Sequence, residues 1–202
     1  MSFRAAIASL SMLILSCTYA EQQRPTPAGE VIIKFSADQP VNSTILKAFD
    51  DKSAESALVE SIRGLSSEED IPIEYSRLTS GREVIVEVPE DRIFDALLRR
   101  LNNSGDVDEV VVNRRGDGGG SRELLVAIRP DKTAPRLEED ADALARHLLG
   151  DNETPVSCEF RVDGRLAIEP DFERLLEQIA ATLAARDDVE YAQPNFRARH
   201  YR

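Results

Sequence analysis

The chain has 202 residues, with 25 Lys and Arg against 37 Asp and Glu. Its formal net charge of −12 argues against nucleic-acid binding, which needs a basic surface. Beyond an N-terminal leader there are about 180 residues, enough for one large or two small domains. That part contains Cys158 as its single cysteine, so it cannot form an internal disulfide.

Residues 1–20 have the pattern of an export signal, because Arg4 is followed by an uncharged apolar run too short to span a membrane. Two processing sites are readable. The Ile-Leu-Ser-Cys run ending at Cys17 resembles a bacterial lipobox, in which Cys17 is lipidated, and we favour it. The Thr-Tyr-Ala run ending at Ala20 resembles an ordinary cleavage site. We therefore expect an exported periplasmic or cell-envelope protein, anchored in the membrane through Cys17 or otherwise secreted.

A polar, Pro-bearing tether at residues 21–29 precedes the first half of the chain. Alternating apolar residues predict strands, and apolar residues on one helical face predict helices. The first half reads in order as a strand at 30–35, a helix carrying Leu58, Ile62 and Leu65, a hairpin at 71–88, a helix carrying Ile93 to Leu101, and a strand at 107–112.

The second half repeats that order, which indicates a diverged tandem duplication. Asp163-Gly164 is a strong two-residue hairpin signal. Val156, Cys158, Phe160 and Val162 alternate, so we expect Cys158 to be a small buried hydrophobic residue. The elements are a strand at 123–128, a helix around Leu144 and Leu148, a hairpin at 156–168, a helix carrying Leu175, Ile179 and Leu183, and a strand at 189–193.

Each half therefore has the order β-α-β-β-α-β. The predicted fold class is α+β, with two tandem ferredoxin-like domains, each a four-stranded antiparallel sheet with two helices on one face. The domains are placed at 30–113 and 123–196, joined by a Gly-rich linker at 114–122 and followed by an extended tail at 197–202.

Residues 188–196 read Asp-Val-Glu-Tyr-Ala-Gln-Pro-Asn-Phe. This run resembles the end of the propeptide of subtilisin-like serine proteases, where a helix is followed by a strand reading roughly V-E-Y-A-x-P-N and then by an extended tail. That propeptide is itself a β-α-β-β-α-β domain. The resemblance covers the second half well. It covers the first half only in outline, because residues 110–114 lack the tyrosine and the proline.

The resemblance implies a free-standing inhibitor, or a trans-acting folding chaperone, of a subtilisin-like serine protease. The tail would lie in the protease cleft as a substrate does. Either Tyr201, which we prefer, or Arg202 would fill the primary pocket. The residues implied are Ala198, Arg199, His200, Tyr201 and Arg202 in the tail, with Tyr191, Pro194 and Asn195 orienting it.

A sheet covered by helices on one side leaves its other face open. Alternation places Leu124, Val126 and Ile128 toward the helices of the second domain. The residues between them, small or apolar with a few charges, suit docking against the helices of a protease. This candidate docking face consists of Leu125, Ala127, Ser157, Glu159, Arg161, Ala167 and Glu169.

No catalytic constellation is apparent. His147 and His200 have no triad or metal partners by spacing, and the Gly-rich linker lacks the context of a phosphate loop. We therefore expect no enzymatic activity, no metal, no cofactor and no small-molecule substrate. The alternative to the protease-directed function is a non-inhibitory interaction or scaffolding module of the cell envelope.

Overall fold

The structure is a computed structural model, which describes residues 27–51, 54–114, 122–129, 140–150 and 154–195. The leader with Cys17 and the tail from Ala198 to Arg202 lie outside these ranges, as does most of the predicted linker. Within the described ranges, no helix has both the length and the apolar character needed to cross a membrane.

The described residues form eight strands and five helices. The strands are β1 (Pro27–Phe35), β2 (Glu74–Leu78), β3 (Val84–Pro89), β4 (Val107–Arg114), β5 (Arg122–Ile128), β6 (Val156–Phe160), β7 (Leu166–Pro170) and β8 (Val189–Asn195). The helices are α1 (Pro40–Asp50), α2 (Glu55–Glu68), α3 (Glu90–Asn103), α4 (Ala141–Leu149) and α5 (Phe172–Ala184).

The strands build two four-stranded antiparallel sheets, so the predicted α+β class is confirmed, and the architecture is compatible with two ferredoxin-like units. The order of strands is β2-β3-β1-β8 in the first sheet and β4-β5-β7-β6 in the second sheet. Helix α1 was not predicted. It starts with Pro40, whose fixed φ suits the first helical position, and it buries only Ile45 and Ala48.

Each sheet takes one edge strand from the other half of the chain. Strand β8 pairs with β1, with Asn195 opposite Glu30 and Tyr191 opposite Lys34. Strand β4 pairs with β5, with Asn113 opposite Glu123. In two independent tandem domains, β4 would pair with β1 and β8 with β5. The final strands are therefore exchanged between the halves.

The helix that precedes each final strand is exchanged together with that strand. Helix α5 contacts β1 as well as β8, and α3 contacts α4 as well as β4. Gly29 in β1 shows how close this packing is, because a Cβ added there would lie 2.3 Å from Cδ1 of Leu176 in α5. The exchanged unit is therefore a helix and a strand, and it begins where β3 meets α3 and where β7 meets α5.

One continuous apolar cluster fills the space between sheets and helices. The residues predicted on the inner helix faces, such as Leu58, Ile62 and Ile179, are buried in it. The rings of Phe94 in α3 and Phe172 in α5 lie 6.4 Å apart, so the two exchanged helices also meet each other. The hydrophobic core therefore belongs to both halves together.

The predicted alternation fails at the end of β6. Val156 and Cys158 are half-buried and pack against the core, but Phe160 is exposed and Val162 lies fully exposed in the following turn. Strand β6 is an edge strand that ends at Phe160, so none of the described strands continues beside the side chains that follow. The expectation that Phe160 and Val162 face the core is wrong.

Candidate protein-binding surface

The strand exchange separates the two parts of the predicted binding site. Tyr191, Pro194 and Asn195 lie on β8, at the edge of the first sheet. The candidate docking face lies on the second sheet or its hairpin, since its members are Leu125, Ala127, Ser157, Glu159, Arg161, Ala167 and Glu169. A tail that follows β8 therefore leaves from the first sheet. The expectation that the tail and this docking face share one sheet is corrected accordingly.

Arg161 directly follows the edge strand β6, and its side chain reaches across the open face of the second sheet. Its guanidinium donates a hydrogen bond to the carboxylate of Glu123 in β5 and forms an ion pair with Glu159 in β6. Because β7 lies between β6 and β5, the Arg161 side chain must pass over β7. Ala167 in β7 is 3% exposed, which is consistent with a small residue lying beneath that side chain. Ala167 therefore offers little surface to a partner.

Tyr191 connects β8 to the far side of β1. Its hydroxyl donates a hydrogen bond to the carboxylate of Glu83, which also accepts one of 2.8 Å from Oγ1 of Thr79. These two hydrogen bonds, first that from Tyr191, lower the pKa of Glu83, and the same contact raises the pKa of Tyr191. Between them, Lys34 donates from Nζ to the carbonyl oxygen of Gly81 at 2.8 Å.

Asn195 is held by a buried carboxylate. Its Nδ2 donates to Oε2 of Glu30 at 2.7 Å. Arg77 from β2 donates to both oxygens of the same carboxylate, at 2.6 and 3.0 Å. Glu30 is 3% exposed, so its charge is stabilised by a bidentate arginine rather than by water. This Glu30–Arg77–Asn195 network fixes the end of β8 to the first sheet.

The second sheet contains the corresponding network. Glu123, also 3% exposed, accepts a 2.8 Å hydrogen bond from Nδ2 of Asn113 and one from Arg161. In both sheets a buried glutamate of the first strand of a half holds the asparagine of the exchanged strand. Sequence reasoning missed both glutamates. The signal available in the sequence was an acidic residue at the start of an otherwise apolar strand, namely Glu30 in the first half and Glu123 in the second half.

The last strand is longer than the predicted 189–193, because Pro194 does not end the strand ladder. This proline lies opposite Val31, and β8 continues to Asn195. The position is tolerated because β8 is an edge strand, where a missing N–H need not break a ladder on both sides. Tyr191 and Asn195 are thus anchored on the same face of β8, two register positions on either side of the exposed Gln193.

The open face that adjoins β8 is that of the first sheet. Ile32 and Lys34 of β1 and Tyr191 of β8 are half-buried on it, and Gln193 is exposed. Ile85 of β3, opposite Ile32, is buried although it stands outside the main apolar cluster. This surface combines apolar side chains with polar groups, as protein-binding surfaces do.

The described residues include one cysteine, Cys158, and one histidine, His147. Burial, with a smaller effect of the Asp142 charge, raises the pKa of Cys158 to about 12, so the thiol stays protonated at neutral pH. His147 lies 3.0 Å from Asp106 through Nε2, as a half-exposed pair on the protein surface. Among the described residues, no three His, Cys, Asp or Glu side chains are grouped so that they could hold a metal ion.

A shallow groove of about 370 Å³ lies between α1, α2 and the turn before β8. Its charged side is Arg186, which pairs with Asp188 at 2.9 Å, with Glu68 at the end of α2 and with Glu69 just after it. Because these carboxylates surround the guanidinium, Arg186 serves to tie the exchanged segment to α2.

Comparison of the chain with protein-family models, with curated proteins and with solved structures finds no match.

Proposed function

We propose that this protein binds a subtilisin-like serine protease in the manner of a propeptide and inhibits it. The observation that carries the proposal is the position of the Val-Glu-Tyr-Ala-Gln-Pro-Asn segment. It forms an edge strand, is anchored by Tyr191 and Asn195, and is followed directly by residues 196–202. A rigid domain that presents an extended segment at a sheet edge supports recognition by strand addition in a protease cleft.

The strand exchange changes which surface docks. The face beside β8 is that of the first sheet, with Ile32, Lys34 and Gln193, and we propose that this face contacts the protease surface next to the cleft. The face around Leu125 belongs to the second sheet and is then not part of the interface. Small and apolar groups beside polar ones permit close approach without an unsatisfied buried charge.

The first experiment compares inhibition of a panel of subtilisin-like proteases by residues 21–202 with inhibition by a chain that ends at Asn195. We expect the shorter chain to fold equally well and to inhibit about a hundredfold more weakly, because a domain-held tail gains from a high effective concentration in the cleft. Equal potency of the two chains would remove the tail from the mechanism. Absence of inhibition by either, across proteases of differing pocket preference, would favour the scaffolding alternative.

A matched pair of substitutions identifies the docking sheet. Ile32→Glu and Leu125→Glu place the same charge at half-buried positions on the open faces of the first and second sheets. We expect Ile32→Glu to weaken inhibition and Leu125→Glu to leave it unchanged, with circular dichroism confirming that both variants fold. The reverse result would assign docking to the second sheet.

Inhibition and chaperoning are separable with the same chain. An inhibitor acts on mature protease at equilibrium, whereas a folding chaperone raises the yield of active protease refolded from denaturant after the chain is removed. We favour the inhibitor, because Tyr191 and Asn195 anchor the strand that leads into the tail without the protease. A higher refolding yield with weak inhibition of mature protease would reverse that preference.

We propose further that the protein acts in the cell envelope, attached through Cys17. The support is the lipobox-like run ending at Cys17, directly after the apolar segment. Expression of the whole chain in bacteria with a labelled fatty acid tests this, with Cys17→Ser as the control. Label in the wild-type chain alone would establish lipidation. An unlabelled, released protein would favour cleavage after Ala20.

A further inference from the structure

The two sheets have four edge strands, β2 and β8 in the first and β4 and β6 in the second. Edge strands present unpaired N–H and C=O groups, and proteins blunt them to prevent pairing with other chains. Three of these edges carry such a device. Strand β2 has a bulge between Tyr75 and Arg77, β6 has only five residues, and β8 contains Pro194.

After the bulge with which it begins, strand β4 carries none of these devices from Glu109 to Arg114. It has eight residues and no proline, and its only irregularity lies at its start, between Val107 and Glu109. Its centre is the apolar run Val110 to Val112. Val111 is 36% exposed on the open face of the sheet, and Val112 is 42% exposed on the other face. A long, regular edge with exposed valines is a site for strand addition.

We propose that β4 pairs antiparallel with β4 of a second copy of this chain. The sequence of the strand from Asp108 to Arg114 is Asp-Glu-Val-Val-Val-Asn-Arg, which is self-complementary about Val111. Antiparallel pairing centred there sets Val110 opposite Val112 of the second copy, and it brings Asp108, which lies at the bulge that begins β4, beside Arg114 of the second copy. Both Asp108 and Arg114 are exposed, so they are placed to make two cross-strand ion pairs in a two-fold dimer.

The pairing joins the two second sheets into one continuous sheet and covers the exposed valines of both copies. It leaves β8 untouched, because β8 lies at the edge of the first sheet. The dimer is therefore independent of the proposed protease binding. An extended segment of a different protein is the competing occupant, but it has no reason to match the charge order of β4 in this way.

The test is the dimerisation of residues 21–202, the chain without its predicted leader, measured by analytical ultracentrifugation. Asp108→Arg and Arg114→Asp each place two like-charge pairs across the dimer axis, and each should raise the dissociation constant about tenfold or more. The double variant restores opposite charges with reversed polarity and should regain the wild-type constant. Arg99→Asp, on the exposed side of α3, is the control matched in net charge to Arg114→Asp.

Restoration by the double variant is the decisive result, because a nonspecific charge effect would not be reversed. Val112→Lys should also abolish the dimer while leaving thermal unfolding of the monomer nearly unchanged. A chain that stays monomeric at all accessible concentrations would overturn the proposal. So would a dimer that is indifferent to both single charge reversals, since its interface would then lie elsewhere.

Discussion

Asn195 donates a 2.7 Å hydrogen bond to the carboxylate of Glu30, across 165 positions of sequence. This contact joins the end of the last strand to the start of the first one. The bond from Asn113 to Glu123 does the same for the second sheet, across 10 positions. Both asparagines belong to exchanged strands, so the two buried glutamates fix the register at which each half receives the other.

Loss of the Glu30 carboxylate should destabilise the protein. Glu30→Ala removes the partner of Asn195 and of Arg77, whose side chain is partly exposed and can regain some hydration. We expect the free energy of unfolding to fall by about 1–3 kcal/mol, measured by urea denaturation. Glu60→Ala removes an exposed carboxylate that also pairs with an arginine, Arg63, and should cost less than about 0.5 kcal/mol. Equal effects of the two variants would contradict the role of Glu30.

The contact between α5 and β1 predicts opposite effects of one substitution at two glycines. Gly29→Ala directs a methyl group into Leu176 and should destabilise the protein by about 1–3 kcal/mol. Gly64→Ala lies in α2 with no atom within 4 Å of the new Cβ, and should stabilise by about 0.5–1 kcal/mol.

Thermal and urea unfolding of these two variants measure the difference, and a cycle with Leu176→Ala shows its origin. The cost of Gly29→Ala should shrink in the Leu176→Ala background, because the clash is then relieved. An unchanged cost would mean that α5 does not lie against β1.

The bond from Tyr191 to Glu83 predicts a pH-dependent stability difference. The folded-state pKa of Glu83 is lowered, so this carboxylate contributes stability above its unfolded-state pKa and loses it as the pH falls through the folded-state pKa. Tyr191→Phe should therefore be less stable than wild type at pH 7, and the gap should narrow on acidification.

Urea denaturation at a series of pH values measures that gap, and an NMR titration of the Glu83 carboxyl should show a higher pKa in Tyr191→Phe. If the pKa of the Glu83 carboxyl is the same in Tyr191→Phe as in the wild type, the prediction is contradicted. Inhibition by Tyr191→Phe reports separately on whether the hydroxyl also orients the tail.

Local pattern was sufficient for most elements. Val31, Ile33 and Phe35 alternate as a half-buried strand must, and Leu175, Ile179 and Leu183 recur on one helical face; all six are buried. Helix α1 lacks a comparable apolar face, so periodicity gave little signal for it. The strand exchange could not be predicted from the sequence. The alternation of apolar and polar residues in β8 is equally compatible with pairing beside β1 and with pairing beside β5.

The sequence indicated some residues of the candidate site correctly, but it did not indicate which residues they contact or on which sheet they lie. Tyr191 and Asn195 were singled out, and both anchor β8. The residues that receive them, Glu83 and Glu30, lie far away in sequence and follow from the pairing of β8 with β1. The docking face was assigned to the second sheet because that assignment presupposed that β8 pairs with β5.

Cleavage of the linker should leave the two halves together. A specific protease site inserted within residues 115–121 permits cleavage of the folded chain. Residues 27–114 and 122–195 should then co-elute in gel filtration and separate only in denaturant, because each sheet contains a strand from either piece.

The same fragments expressed alone provide the control. Each then lacks one edge strand and its helix, and should unfold without a cooperative transition, whereas mixing should restore one. Two fragments that fold separately and do not associate would show that each half pairs its own final strand.

The first sheet cannot be completed until β8, which ends at Asn195, is available. During synthesis, β1 is made first and stays without β8 until the whole second sheet, which lies between them in sequence, has been made. Contacts of such large sequence separation slow folding, since loop closure is needed before any pairing is gained. Until β8 arrives, the apolar side of β1 that carries Val31 and Ile33 lacks α5 as its cover. The interval before residue 195 emerges is therefore when this protein most needs protection from aggregation.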